Sequence, residues 1–276
     1  MSKVLLITGA GRGLGAVLAR EALSAGHRVI ATGRKPELVE QALGGAKENL
    51  LVLQLDITNP EETLTVVEKA IQKFGHIDVL INNAGNFYAG YFEELTSEEI
   101  HAQFETNLFG AMNITRAVLP GMRARKQGHI MSISSIAGLV GQEFTVAYSA
   151  SKFAVEGWME ALRYDLKPFG IHTTVIEPGY FRTELLEDAS TIWPESRIAD
   201  YAERTKSTVQ AWKQVNGQQP GIPLKLARAL LTIANQEQPP FRFIAGADAI
   251  AMAKDKANEI LANAEASQEL GGNLDF

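Results

Sequence analysis

Tyr148-Ser149-Ala150-Ser151-Lys152 places a phenol and an amine four residues apart. On a helix that spacing puts both side chains on one face, where an ammonium can pull a phenol below its ordinary pKa of about 10. A phenol tuned in this way exchanges a proton near neutral pH. Upstream, Ser134 and Ser135 close an apolar run, and a hydroxyl there can hold a substrate oxygen on which negative charge grows. The residues by themselves do not separate the two serines. Tyr-x-x-x-Lys also occurs on amphipathic helices that do no chemistry, so the serine is what gives the pair its weight.

A second cluster points to a dinucleotide. Thr8-Gly9-Ala10-Gly11-Arg12-Gly13-Leu14-Gly15 follows a short apolar run and then turns helix-like. Glycines let the backbone turn tightly and approach a diphosphate, which free N–H groups and the positive end of the next helix would meet. The spacing is T-G-x-x-x-G-x-G rather than G-x-G-x-x-G. After the second apolar run come Thr32, Gly33, Arg34 and Lys35, where an NAD enzyme would place a carboxylate for the ribose 2′-hydroxyl. With no acid there and a guanidinium able to grip a phosphate at two points, NADP(H) is favoured over NAD(H). Arg12 can assist in the same way. Asp56 can accept from an adenine amino group, or simply form a turn before a cap at Thr58. Asn82-Asn83-Ala84-Gly85 can pin a loop beside the adenine ribose through side-chain to backbone bonds.

These groups need elements to position them. Val4–Thr8, Arg28–Thr32, Leu50–Leu55, Val79–Asn82, His129–Ile133, Thr173–Ile176 and Phe241–Ala245 read as seven strands, most apolar on consecutive residues. Strands buried on both faces of a parallel sheet have that composition. Between them, Leu14–Ala25, Pro36–Leu43, Pro60–Phe74, Ser97–Arg125, Ala147–Phe169 and a run from Pro223 are long enough to be crossover helices. The expected fold is therefore α/β: a Rossmann-type doubly wound parallel sheet of about seven strands, with helices on both faces. A single domain over residues 1–276 is expected, with a substrate lid inserted at about 184–223 and a polar, frayed or oligomer-contacting tail at 265–276. The glycine loop, Arg34, Asp56, Asn83, Ser135 and Pro178 all fall just beyond strand carboxyl ends, where open α/β sheets bind ligands.

From about Lys3 to Thr183 the chain resembles the short-chain dehydrogenase/reductase family, in its shorter, non-extended branch. The family's glycine motif falls on Gly9, Gly13 and Gly15, its N-N-A-G on Asn82 to Gly85, and its tyrosine and lysine on Tyr148 and Lys152. Family spacing, thirteen positions before the tyrosine, selects Ser135 as the catalytic hydroxyl. The resemblance adds Asn107, which in relatives kinks a helix and holds water for a proton relay to the lysine. It also adds Pro178, Gly179 and Thr183, which in relatives lie against the nicotinamide. The implied catalytic set is Asn107, Ser135, Tyr148 and Lys152. The implied cofactor set is Gly9, Gly11, Arg12, Gly13, Leu14, Gly15, Arg34, Asp56, Ile57, Asn83, Ala84, Gly85, Pro178, Gly179 and Thr183, with Tyr148 and Lys152 shared. From Ser151 onward the chain is similar to bacterial reductases related to 17β-hydroxysteroid dehydrogenases. Relatives are usually dimers or tetramers built on the two long helices, so a homodimer or homotetramer is implied.

Bulk properties narrow the partners. A net charge of −6 with no dense basic block argues against nucleic acid. No apolar run approaches the ~20 residues that span a bilayer, and no secretory leader is evident, so a cytoplasmic protein is expected. There is no cysteine, which excludes thiolate chemistry, and the five histidines lack ligand spacing, so no catalytic metal is expected. Phe87, Tyr88, Phe92, Phe144, Tyr180, Phe181 and Trp193 either line a roomy apolar pocket or pack the lid. No cation stands out as a carboxylate or phosphate clamp for substrate. The expected function is an NADPH-dependent reductase or dehydrogenase acting on an uncharged ketone, aldehyde or secondary alcohol. The alternative is a nucleotide-sensing protein that binds NADPH without chemistry. An epimerase or dehydratase fits less well, since those relatives carry T-G-x-x-G-x-x-G and a longer C-terminal domain.

Overall fold

The computed structural model describes residues 2–45, 47–272 and 274. The chain begins with β1 (Val4–Ile7), α1 (Gly13–Ser24), β2 (Arg28–Gly33), α2 (Pro36–Leu43), β3 (Leu50–Gln54), α3 (Pro60–Phe74) and β4 (Val79–Asn82). It continues through β5 (Phe87–Tyr88), α4 (Ser97–Phe104), α5 (Gly110–Arg125), β6 (Gly128–Ile133), α6 (Val146–Leu166) and β7 (Ile171–Pro178). Then come β8 (Thr191–Ile192), α7 (Ala202–Val215), α8 (Pro223–Asn235), β9 (Arg242–Ala245) and α9 (Ala247–Ala266). Seven strands form one sheet in the order β3-β2-β1-β4-β6-β7-β9, every pair parallel. The seven expected strands are these seven, and the chain is a single Rossmann-like domain.

Consecutive apolar residues make sense because successive side chains leave a strand on opposite faces. Leu5, Ile7, Val29, Ala31, Val79 and Ile81 pack with α1, α2 and α8. Val4, Leu6, Ile30, Leu80 and Ile130 pack on the other face with α3, α5 and α6. Removing each of these side chains from water stabilises the fold by roughly 1.5–3 kcal/mol for a Val, Leu or Ile. Two cores thus clamp the sheet and leave its carboxyl edge free for loops.

Helix ends follow their punctuation with one difference. Thr96 and Glu99 form a reciprocal capping box at α4. At α3 the cap is Asn59, whose side chain accepts from the N–H of Glu61 and Glu62, while Thr58 instead bonds Asp56. The single helix expected over Ser97–Arg125 is broken by a π-helical turn at Glu105–Phe109. Asn107 sits in that turn, and Gly110 follows it where a Cβ would lie 2.6 Å from Ile57 Cγ1.

The segment expected as a lid holds a 3₁₀ turn at Glu184–Leu186, then β8 and α7, and returns through a bridge between Phe181 and Gly221. β8 pairs in parallel with β5, stitching this segment to the loop after β4. The tail from residue 265, expected either to fray or to contact another copy, begins as helix, since α9 runs to Ala266 and a helical turn covers Gln268–Gly271. Its residues 273, 275 and 276 lie outside the described residues, as do residues 1 and 46 of the expected domain. No helix among the described residues is long and apolar enough to cross a membrane.

Leu80 is 0% exposed in the central strand β4, whereas Leu64 is 55% exposed on α3. Leu80→Ala should lose about 2–5 kcal/mol in urea unfolding, and Leu64→Ala less than about 0.5 kcal/mol. Equal losses would contradict the two-faced core.

Candidate active site

The cleft forms at the carboxyl edge because the loop after β1 and the loop after β4 are locked together there. Gly9 has φ +69°, and a Cβ on it would lie 2.9 Å from Ala84 Cα. A Cβ on Gly15 would lie 2.3 Å from Gly9 O and 2.4 Å from Asn83 Nδ2. The glycines therefore exist for close backbone approach. Asn83 Nδ2 donates to Thr8 O (2.9 Å) and Gly9 O (3.2 Å), and Thr8 Oγ1 accepts from the N–H of Asn83 and Ala84, both at 3.0 Å. Asn82 stays behind this loop, donating to Thr115 Oγ1 (3.0 Å) and Ser132 Oγ (3.1 Å). Asn83 thus pins the glycine loop itself, and Asn82 ties β4 to α5 and β6.

A cleft of about 1280 Å³ runs along this edge. Its walls take in Gly9, Gly11, Arg12, Gly13, Leu14, Arg34, Asp56, Ile57, Asn83, Ala84, Gly85, Ser135, Tyr148, Lys152, Pro178, Gly179 and Thr183. Of the residues expected from sequence, Gly15 and Asn107 lie behind these walls. Gly15 is buried in the first turn of α1. That helix begins with no side-chain cap and no acidic residue in its first turn, so its N–H groups are free to meet an anion. Arg34 and Lys35 are exposed, and their side chains make no hydrogen bond or ion pair with any described residue. Arg12 is engaged differently, its guanidinium donating to Ala189 O across the cleft mouth. Asp56 gives one carboxylate oxygen to Thr58 N (3.0 Å) and Thr58 Oγ1 (2.8 Å), so the turn-forming reading holds for that oxygen.

Ser135, Tyr148 and Lys152 meet at the inner end. Ser135 and Tyr148 both line the cleft there, and the Ser135 hydroxyl favours the ionised form of the phenol. Ser135 also accepts from Ala137 N at 3.1 Å, which opens the 3₁₀ turn Ile136–Gly138 and fixes the serine. Ser134 also borders the cleft but is only 2% exposed. Lys152 is 6% exposed, donates from Nζ to Ile133 O at 2.8 Å, and lies 5.6 Å from the Tyr148 ring centre. Burial pushes this amine down to about 8, while the Glu156 charge pulls it up.

The expected phenol tuning is reversed here. Burial pushes Tyr148 up to about 12, offset in part by the Ser135 hydroxyl. Phe87 packs edge-on at 5.0 Å and withdraws one side of the ring from water, and the ammonium is turned toward the Ile133 carbonyl. At neutral pH Tyr148 is thus firmly protonated, the form needed to donate a proton.

Asn107 is 3% exposed and spends its side chain on the loop after β4. Its Oδ1 accepts from Asn86 N (3.0 Å), and its Nδ2 donates to Asn86 O (3.2 Å) and Ser151 Oγ (3.2 Å). The π-helical turn is what swings this side chain between that loop and α6. Sequence reading overlooked Asn86 and Gln103, whose Nε2 donates to Asn86 Oδ1 at 2.8 Å. It also overlooked Asp248 of α9, which accepts from Tyr180 N at 2.8 Å. A Cβ on Gly179 would lie 2.4 Å from that carboxylate, so Gly179 is glycine for packing as well as for the cleft. No local pattern marks Asn86, Gln103 or Asp248, because their partners are distant in the chain.

The aromatic residues divide between the two readings. Phe87, Tyr88, Tyr180, Phe181 and Trp212 line the cleft. Phe144 is buried with Tyr91 under α7, Phe92 is exposed, and Trp193 bonds Asp188 at 2.7 Å. Among the histidines, His129 is buried against Thr174, and burial pushes it down to about 3.

The short chain dehydrogenase family model matches residues 3–192. The chain is 38% identical over 242 residues to the 3-ketodihydrosphingosine reductase of Bacteroides thetaiotaomicron, covering 87% of this chain and 86% of that one. The crystal structure of a short-chain dehydrogenase from Streptomyces avermitilis matches with a TM-score of 0.90 at 34% identity, covering 100% of both chains. The structure of ElxO with NADP bound matches with a TM-score of 0.73 at 27% identity, covering 89% of this chain and 97% of that one. The coverage runs through the sheet, the cleft and the lid segment alike, and the chain belongs to the short-chain dehydrogenase family of oxidoreductases.

Proposed function

We propose that this chain is an NADPH-dependent reductase or dehydrogenase that moves a hydride between the nicotinamide and an uncharged, fairly apolar ketone, aldehyde or secondary alcohol. The observation that carries the reading is the meeting of Tyr148, Ser135 and Lys152 at the inner end of the cleft that begins at the glycine loop. Family membership among oxidoreductases favours it over a non-catalytic sensor.

The residues fit such a cofactor. Close backbone approach at Gly9 and Gly15 and the uncapped start of α1 make an anion cradle of Gly11, Arg12, Gly13 and Leu14. Arg34, whose exposed side chain has no partner among the described residues, suits the 2′-phosphate, and the related ElxO structure holds NADP. Asp56 and Ile57 would border the adenine, and Asn83, Ala84 and Gly85 its ribose. Pro178, Gly179 and Thr183 would lie by the nicotinamide.

Bound NADPH supplies the hydride. Tyr148 gives its proton to the carbonyl oxygen, and Ser135 steadies that oxygen with its hydroxyl as charge develops. Lys152 orients the nicotinamide ribose and draws the phenol proton toward release through its positive charge. Asn107 acts from behind, holding Asn86 and Ser151 in place beside this group. In the oxidative direction the same groups work in reverse. The segment 184–223 serves as substrate lid, with Phe87, Tyr88, Tyr180 and Trp212 giving the pocket its apolar walls. The reading includes a cytoplasmic enzyme and a homodimer or homotetramer, the latter supported by Phe109 beside α5 and Phe153 and Tyr164 on α6, all exposed.

Loss of 340 nm absorbance across a panel of uncharged aldehydes and ketones tests the activity. Tyr148→Phe should lower kcat by at least about 10²-fold with NADPH binding kept, and undiminished turnover would refute the assignment. Arg34→Ala should cut kcat/KM with NADPH roughly tenfold or more and leave NADH unaffected, as expected for a lost bond to a charged group. An equal fall with both cofactors would remove Arg34 from the 2′-phosphate. Because Lys152 must be an ammonium, the reductive rate should hold below about pH 8 and fall as pH rises through it.

A further inference from the structure

Directly behind the proton-transfer group lies a buried acidic cluster that the mechanism has not used. Tyr148, Lys152 and Glu156 follow one another at four-residue intervals along one face of α6. Glu177, fully buried, is the penultimate residue of β7, immediately before Pro178 and Gly179. From the edge strand β9, Arg242 reaches between them. Its guanidinium contacts the Glu177 carboxylate, donates to Glu156 Oε2 at 2.8 Å, and lies 3.7 Å from the exposed Glu160.

The hydrogen bonds do not close without one more proton. Oε1 of Glu156, Oε2 of Glu177 and Ser134 Oγ have no hydrogen-bond partner among the described residues; the Ser134 hydroxyl can serve Glu156, which leaves Oε2 of Glu177 without a donor. Yet the two carboxyls are brought together on one nitrogen, since Arg242 Nη1 bonds both of them. Two ionised carboxylates so placed and so buried repel strongly, whereas a single proton between them supplies the missing donor. Burial raises both acids above the ordinary carboxylate range, and the charge of Glu156 raises Glu177 further. Arg242 pulls the other way on both. Ser134, at the end of β6, faces Glu156 with its hydroxyl, and Asp248 of α9 flanks the same corner, held by Tyr180 N.

The charges then balance. With one proton on the pair, the pair and Glu160 present two negative charges to the positive charges of Arg242 and Lys152. Lys152 is the member that faces the cleft, and Glu156 is the negative charge that favours its ammonium form. A buried ionic cluster is poor stabilisation compared with apolar packing, so its place behind this lysine calls for another role.

We propose that Glu156 and Glu177 share one proton under the clamp of Arg242 and act as positioning residues that keep Lys152 an ammonium behind Tyr148. This rests on the proton-transfer reading of Tyr148 and Lys152 above. Neither acid touches the reacting atoms. Glu156 supplies the charge, and Glu177, as its hydrogen-bonded neutral partner, allows that charge to stay buried.

Two measurements on the full-length enzyme test this. With ¹³Cδ-labelled glutamate, NMR titration should show a carboxyl titrating well above the usual range near 4, with its signal lost in both Glu156→Gln and Glu177→Gln. If every glutamate titrates in the ordinary range, the shared proton is refuted. The pH profile of kcat for NADPH-dependent carbonyl reduction tests the link to Lys152. Glu156→Gln should move the alkaline limb down by about one unit with the KM for NADPH unchanged. Glu177→Gln, an isostere of the protonated acid, should leave the limb in place and kcat within about threefold of the parent protein. An unmoved limb in Glu156→Gln, or lowered Tm in both variants with unmoved limbs, would make the cluster purely structural and overturn the proposal. Should Glu156→Gln not fold, Glu156→Asp carries the same test, because it keeps the charge but withdraws it and should move the limb in the same direction by less. Failure of the underlying reading looks different: Tyr148→Phe would keep full turnover while the NMR titration stayed as described.

Discussion

Everything at the carboxyl edge of the sheet depends on two loops touching backbone to backbone. The Asn83 carboxamide holds the carbonyls of Thr8 and Gly9, while the Thr8 hydroxyl takes the N–H groups of Asn83 and Ala84. Four hydrogen bonds from two side chains thus replace the strand pairing that ends at Ile7 and Ile81. A Cβ at Gly9 or Gly15 would force the loops apart. With the loops fixed, the first turn of α1 is aimed into the cleft, and the chain beyond Gly85 runs on to Asn86, where Asn107 and Gln103 anchor it. The geometry of the Tyr148 group is therefore inherited from a knot at the opposite end of the cleft.

Burial then decides the chemistry of the side chains gathered there. In water an ammonium four residues from a phenol would dominate its proton affinity. In this fold desolvation is the larger effect on both, raising Tyr148 and lowering Lys152. The two values, ordinarily close together, move apart to about 12 for the phenol and about 8 for the amine. The resting state at neutral pH is accordingly a neutral phenol beside a cation, with the Ser135 hydroxyl as the polar contact between phenol and substrate space.

Much of this was legible in the sequence because it is encoded locally. Most of the seven strands announce themselves by consecutive apolar residues, since a sheet covered on both faces leaves little polar alternation. The glycine loop and Tyr148-x-x-x-Lys152 are likewise short-range patterns with fixed spacing. What escaped was long-range or conformational. The break at Glu105–Phe109 needs knowledge of Ile57 pressing on Gly110, and β5 and β8 are too short to carry a period. Arg12 reads as a phosphate ligand, but the fold sets it against the carbonyl of Ala189. Arg242 bonds partners 65 and 86 positions away, which no window along the chain can see. One clue was available: a glutamate at position 177, directly after the apolar Val175-Ile176 of a central strand, is an anomaly that a buried partner explains.

The sheet order also fixes the sequence of events during synthesis. β1 lies beside both β2 and β4, so the loop knot and the cradle of α1 use only the first third of the chain and can form as it leaves the ribosome. The helix bearing Tyr148 and Lys152 packs on β7, and the guanidinium that neutralises its inner face arrives with β9, the last strand to be made. Until then the nascent chain carries Glu156 and Glu177 without the guanidinium that joins them in the folded protein.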